Sequence, residues 1–303
     1  LEPMYPRYIS TVDSGNLAGH LLTLQQGQIE LMGRKILSEQ AFSGLQDTLQ
    51  IIRDMIVDVA NEDSGTAEDG WPSEPADSDR GRTVPAEFSL QIDLFWTQLQ
   101  SPPCSLSAAW QLLDRQAAAA ASMATRLGPD ADDDLLWWVR SYEQQLRDHL
   151  EDMILMAPWS MLPMWIAGHA QEFLAQDSKE LAKRERELQA ELLRLDLIPL
   201  LRDVPEIAPK LVPIIDQIGS QLIGAEHQTD RIWLQELSQK IMAGQRHARE
   251  RIASIKRIAL DCSSLADIKY DFLFDESRRL LAIGYNVDDS RRDESCYDLL
   301  ASE

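Results

Sequence analysis

Residues 8–24 read Tyr8-Ile9-Ser10-Thr11-Val12-Asp13-Ser14-Gly15-Asn16-Leu17-Ala18-Gly19-His20-Leu21-Leu22-Thr23-Leu24, or "YISTVDSGNLAGHLLTL". A short apolar start gives way to polar, helix-opening side chains and then to a leucine-rich run. Asp13, Ser14 and Asn16 are all residue types that cap helix N-termini, Gly15 tolerates a positive φ, and Leu17 is the expected first residue of the helix. One cap does not need three capping residues. One reading is an over-determined cap and nothing more. The other is that the extra side chains, with the free N–H groups of the helix end, face a polar ligand. Short Asp and Asn side chains form paired hydrogen bonds with the hydroxyls of a sugar, and Gly15 and Gly19 would admit it close to the backbone.

Working outward, Leu17, Leu21, Leu24, Leu31 and Ile36 predict a helix to about Leu37, interrupted at Gly27 and Gly33. Phe42 to Val59 carries Leu45, Leu49, Ile52, Ile56 and Val59 on one stripe. From Asn61 to Pro85 the periodicity disappears into acids, Gly, Ser and Pro, which reads as a solvated loop. Helices are expected again over Phe88 to Gln100, Ser107 to Leu127 and Asp132 to Met156, the last opened by three aspartates suited to the positive end of a helix dipole. The apolar run Met153 to His169 is shorter than the roughly 20 residues of a membrane span and contains two prolines. It reads as a buried helical corner, or else as a contact with a membrane or another domain. Two long helices, 173–201 and 221–260, are expected to pair across "RDVPEIAPKLVPI", whose prolines interrupt them.

Near the C-terminus the period changes to two. Tyr270 to Phe274 and Leu280 to Val287 flank the turn "DESR" and predict a β-hairpin. Asp288-Asp289-Ser290 then offers an N-cap to a final helix through Tyr297. Within "GYNV", Tyr285 offers a flat apolar face for a pyranose ring and Asn286 a polar partner, with Arg291, Arg292 and Tyr297 able to close the same site. The alternative makes Tyr285 an inward hairpin residue and Asn286 a turn residue.

The 303 residues carry 50 acidic and 29 basic side chains, a net charge of -21, and 44% apolar residues. That composition supplies a sizeable core and disfavours nucleic acid and anionic lipid as partners, while a neutral ligand remains compatible. Cys104, Cys262 and Cys296 are odd in number and far apart, which suggests apolar fillers in a reducing compartment. The five histidines form no HExxH, and GxSxG, P-loop and GxGxxG patterns are absent. Asp132-Asp133-Asp134 and Asp288-Asp289 read as helix starts rather than as a glycosidase pair. The chain opens at Leu1 and ends in "YDLLASE" inside a helical pattern, so a piece of a longer polypeptide is expected.

Residues 8–24, with "YDFLFDESRRLLAIGYNVDDSRRDESCYDLLASE" at 270–303, resemble the central, glycoamylase-like region of cyclic β-1,2-glucan synthases. The two blocks make up about a sixth of the chain, and the middle carries no matching motif. The resemblance implies a mainly α fold. In it, the opening elements of an (α/α) barrel (1–40 and 266–303) are interrupted by a helical insertion (41–265), with one β-hairpin near the C-terminus. It implies a substrate-binding set of Asp13, Ser14, Asn16, Tyr285, Asn286, Arg292 and Tyr297 facing β-1,2-glucan, with no catalytic residue and no cofactor in this piece. UDP-glucose would serve the parent's transferase domain. The other implied partners are that domain and a phosphorylase-like domain, on the cytoplasmic side of an inner membrane reached through other segments. Family members more often have tyrosine and alanine where this chain has Cys296 and Glu294, which puts a sugar contact there in question. The competing expectation is a non-catalytic helical module that docks other domains or a second subunit.

Overall fold

The computed structural model describes residues 5–63, 86–127, 133–162, 179–222, 224 and 227–296. The fold is mainly helical with a small antiparallel sheet region near the C-terminus. The chain divides into two compact units, residues 34–249 and residues 1–33 with 250–303.

The larger unit is built on α2 (Glu39–Asp63), α3 (Ala86–Leu99), α4 (Leu106–Leu127) and α5 (Asp133–Met156). Phe42, Leu45, Leu49, Ile52 and Ile56 recur three and four residues apart on α2 and are all buried. Phe88, Ile92, Phe95 and Leu99 do the same on α3, and Leu135, Val139, Tyr142, Leu146 and Leu150 on α5. This spacing puts one apolar stripe on each helix, and α2 packs on α3 and α5 while α4 packs on α5. The alanine-rich stretch of α4 buries Ala109, Ala117, Ala120 and Ala124, small side chains that let α5 come close.

Inside this core a short polar chain runs through Tyr142, Gln116 and Gln98. The buried Tyr142 hydroxyl donates to Gln116 Oε1 at 2.6 Å, and Gln116 Nε2 donates to Gln98 Oε1 at 2.9 Å. Burial pushes the Tyr142 pKa far up, so the phenol stays a neutral donor.

The same unit contains α6 (Lys179–Leu195), α7 (Ile207–Gln221) and the first part of α8 (Gln228–Ala266). The expected pairing of two long helices is corrected here. A separate helix, α7, occupies the proline-bearing segment and packs against α6. Pro209 lies in its first turn, where no N–H is needed, and Pro213 is accommodated inside it. The segment after α6 is pinned by backbone bonds, with Leu106 N donating to Asp196 O at 2.6 Å and Leu201 N to Arg34 O at 2.9 Å. Asp196 also accepts from the Ser107 amide and hydroxyl at the start of α4, at 2.9 and 2.8 Å.

In the smaller unit, β1 (Tyr8–Ser10) leads directly into α1 (Thr11–Leu31). Strand β4 (Gly284–Asn286) is central in a three-stranded antiparallel sheet, between β1 and β5 (Arg291–Arg292). A two-stranded ladder joins β2 (Phe274–Asp275) to β3 (Leu280–Leu281), with Phe274 opposite Leu281. The expected hairpin is therefore present but shorter, because Asp271–Leu273 forms a 3-10 turn and residues 284–286 pair with β1 instead.

Three further expectations are corrected. The helix expected at Leu17 starts at Thr11, and it passes through Gly27 without interruption. Residues 61–63 continue α2, while the rest of the expected acidic loop lies outside the described residues. Of the three cysteines only Cys262 is a buried filler, since Cys104 is exposed and Cys296 partly so. Residues 163–178, which hold the end of the apolar run and the start of the expected 173–201 helix, are also outside the described set. Among the described residues no helix is long and apolar enough to cross a membrane.

Candidate functional site

The two stretches singled out in the sequence meet in one sheet. Tyr8 lies opposite Asn286, Ile9 opposite Tyr285 and Ser10 opposite Gly284, while Tyr285 and Asn286 pair on their other side with Arg292 and Arg291. Because strand residues alternate between faces, Ile9, Tyr285 and Arg292 share one face, and Tyr8, Gly284 and Asn286 the other.

The junction is closed by specific bonds. Val287 N donates to Arg7 O and Thr11 N to Ile283 O, at 2.9 and 3.0 Å. Thr11 Oγ1, buried, donates to Ala282 O at 2.6 Å. The Arg7 guanidinium grips Asp288 Oδ1 through Nε and Nη2, both at 2.7 Å, and the Arg7 amide donates to Oδ2 at 2.9 Å. These Arg7 donors, the backbone amide first, hold the Asp288 carboxyl below the usual carboxylate range. On the opposite face Tyr8 OH donates to Asp293 Oδ2 at 3.0 Å, and the Tyr8 ring covers Gly284 so closely that a Cβ there would overlap it.

The residues predicted to bind a ligand separate into two groups. Ser10, not Asp13, caps α1: it is extended, and its Oγ accepts from Asp13 N at 3.2 Å. The chain leaves the sheet at Ser10, so the cap has to be there, and Asp13, Ser14, Gly15 and Asn16 fall inside the first turns. Ser14 is occupied, its hydroxyl donating to Ser10 O at 2.7 Å while its carbonyl accepts from Tyr270 OH at 3.2 Å. Asp13 and Asn16 are exposed, lie three residues apart on one helix face, and have no side-chain partner among the described residues.

Asn286 is a turn residue. Its Nδ2 donates to Asp289 Oδ2 and its Oδ1 accepts from Asp289 N, at 2.9 and 3.0 Å. This corrects the expected helix after Ser290: Asp288, Asp289 and Ser290 form the β4–β5 turn, with Ser290 at φ 50°, and the chain returns as β5. Asn, Asp and Ser serve caps and turns by the same short-range bonding, and the free edge of β4 selects the turn. Arg292 is likewise engaged, donating through Nη1 to Phe274 O at 2.5 Å and through Nη2 to Asp275 Oδ2 at 3.3 Å. Asp275 also organises its own turn by accepting from the Ser277 hydroxyl at 2.6 Å and from the Ser277 and Arg278 amides, and this keeps its carboxyl below the ordinary range.

Tyr285 is half-buried and meets the Phe272 ring edge to face at 5.3 Å. With Ile9 and Phe272, which are 37% and 43% exposed, it forms an accessible apolar face beside Arg292. Tyr297 lies outside the described residues. No local pattern in the sequence marks Arg7, Tyr8 or Asp275, since Arg7 and Tyr8 act through a register set almost the whole chain away.

No family model matches the chain. Over its whole length it is 26% identical, across 313 aligned residues, to part of the cyclic beta-(1,2)-glucan synthase NdvB of Rhizobium meliloti (strain 1021). The chain is distantly similar to one region of that protein. It spans 7% of the relative's length.

Proposed function

We propose that this chain is a region of a protein that builds β-1,2-glucan, in which the smaller unit contributes part of a glucan-binding surface and the larger unit is a helical scaffold. The observation that carries this reading is the meeting of the two resembling sequence blocks in one sheet, β1 against β4. Asp13 and Asn16 offer free polar groups to sugar hydroxyls, and the Ile9, Phe272 and Tyr285 face offers an apolar surface to a pyranose ring. The distant similarity to NdvB supports the choice of glucan. Asp275 and Asp288 are tied to arginines and Asp293 accepts from Tyr8, so the reading assigns these carboxylates to architecture and no catalytic step to this chain. In keeping with that resemblance, the reading also takes the first barrel helix to be α1, and puts use of a nucleotide sugar and attachment to a membrane in other parts of the parent.

A thermal melt with and without linear β-1,2-glucan tests the proposal. Ligand at about 100 times its dissociation constant adds roughly 2.7 kcal/mol to the unit that binds it. An upward shift that is abolished in the Asp13→Ala, Asn16→Ala double variant is expected. A melt indifferent to glucan in the native chain refutes it.

A second reading has its own support. Helix α1 buries only Thr11, while Leu17, Leu22, Leu24, Ile29 and Leu31 are each between 39% and 55% exposed. Such a helix suits docking against further protein, and on this reading Asp13 and Asn16 only favour the helix terminus.

A further inference from the structure

The larger unit has a cleft of about 400 Å³ between the end of α6 and the start of α7. Its floor is apolar, made by Trp159, Leu195 and Leu211, and its walls are fixed. Trp159 Nε1 donates to Leu195 O at 3.1 Å, which sets the ring's orientation. Behind the ring lies Gly244 of α8, where a Cβ would come within 2.7 Å of the indole and 2.8 Å of Met156 O. Gln245 Nε2 donates to Pro205 O at 2.7 Å and ties α8 to the turn that leads into α7. The cleft is therefore formed before any ligand arrives, the usual state of a small-molecule site.

The rim defines the ligand. Arg194 on the α6 side is already neutralised by Glu191, with Nη1 to Oε1 at 2.6 Å. Across from it, Asp203, Glu206 and Lys210 are exposed, and among the described residues neither Glu206 nor Lys210 has an ion-pair partner. Asp203 is paired with Arg202 at 3.8 Å, which leaves Glu206 and Lys210 as one charge of each sign, so neither an anion nor a cation gains a net field. A purely apolar ligand would bury these charges without partners, which is costly. Hydroxyl groups both donate and accept, so they satisfy carboxylates and an ammonium group at once. We propose that this cleft binds a neutral polyhydroxylated ligand, a mono- or disaccharide unit, with Glu206 and Lys210 as its polar contacts and the Trp159 to Leu211 floor under its C–H face. The class follows from the cleft alone, while the choice of glucose-based probes rests on the function proposed above.

The test is amide and indole NMR of the full chain titrated with sophorose, the β-1,2-linked glucose disaccharide, and with cellobiose as a linkage control. Weak saccharide sites saturate in the millimolar range, so the titration runs to about 10 mM. Saturable shifts of the Trp159 indole N–H and of the Lys210 and Leu211 amides are expected, with affinity at least about tenfold weaker in Glu206→Gln and in Lys210→Met. Both substitutions are on the surface, and unchanged melts establish that these variants are folded. Absence of cleft shifts with both disaccharides overturns the inference, as do shifts insensitive to both substitutions. Shifts confined to the Asp13, Asn16 and Tyr285 amides also overturn it, while leaving the glucan surface of the smaller unit standing.

Discussion

Replacing Gly284 with alanine isolates the contact that seats β1 on β4. The backbone of Gly284 is not in the left-handed region, so alanine brings no conformational penalty and the effect is steric. The added methyl would overlap the Tyr8 ring, which cannot simply swing away because its hydroxyl is bonded to Asp293. Forcing a methyl into such a contact costs about 1–3 kcal/mol. In a Tyr8→Ala background the obstacle is gone, and the same substitution should cost little, giving a coupling of about 1–2 kcal/mol in the double-mutant cycle. Because the chain has two units, a global melt would mix their transitions. Hydrogen exchange at the Thr11 and Val287 amides, both bonded across the junction, reads the local free energy directly. Additive costs in the two backgrounds would show that Tyr8 does not press on Gly284 and would refute the packing argument.

Three other outcomes are expected. Tyr142→Phe leaves Gln116 Oε1 buried without its donor and should cost about 1–3 kcal/mol, read by hydrogen exchange at the α5 amides, with no change in helix content by circular dichroism. Gly244→Ala places a methyl against the Met156 carbonyl, which is backbone and cannot rotate away, and should cost at least about 2 kcal/mol and change the Trp159 indole resonance. Asp288 has a folded-state pKa below its unfolded value. Its contribution is therefore complete above the ordinary aspartate pKa of about 3.9 and is lost as pH falls from there through the folded-state value. Protection of the Val287 amide should follow that acid limb in the native chain, and Asp288→Asn should flatten it.

The helices of the larger unit are legible in the sequence because each carries one uninterrupted apolar stripe, as Phe42 to Ile56 on α2 and Leu135 to Leu150 on α5 do. Helix α7 was hidden by Pro205, Pro209 and Pro213, which look like punctuation. Two of them fall where a helix tolerates proline, and buried Ala208, Leu211, Ile215 and Ile218 supply the packing that holds the third. At the candidate site, "YISTV" and "GYNV" are both recognisable as special, but their pairing is not, since register is a long-range property. That pairing decides which residues are free. It moves the cap from Asp13 to Ser10, turns Asn286 inward on Asp289, and leaves Asp13 and Asn16 unengaged. Asp288-Asp289-Ser290 misleads because a cap and a tight turn call for the same side chains.

The bond from Arg7 to Asp288 spans 281 positions of the chain. During synthesis, at about 5–20 residues per second, β1 and α1 leave the ribosome roughly 15–55 seconds before β4 exists to receive them. For all of that interval Tyr8 and Ile9 have no strand to pair with, whereas α4 and α5 of the larger unit can pack on each other as soon as both have emerged. Residues 8–10 thus wait far longer for their sheet partner than α4 and α5 wait for each other.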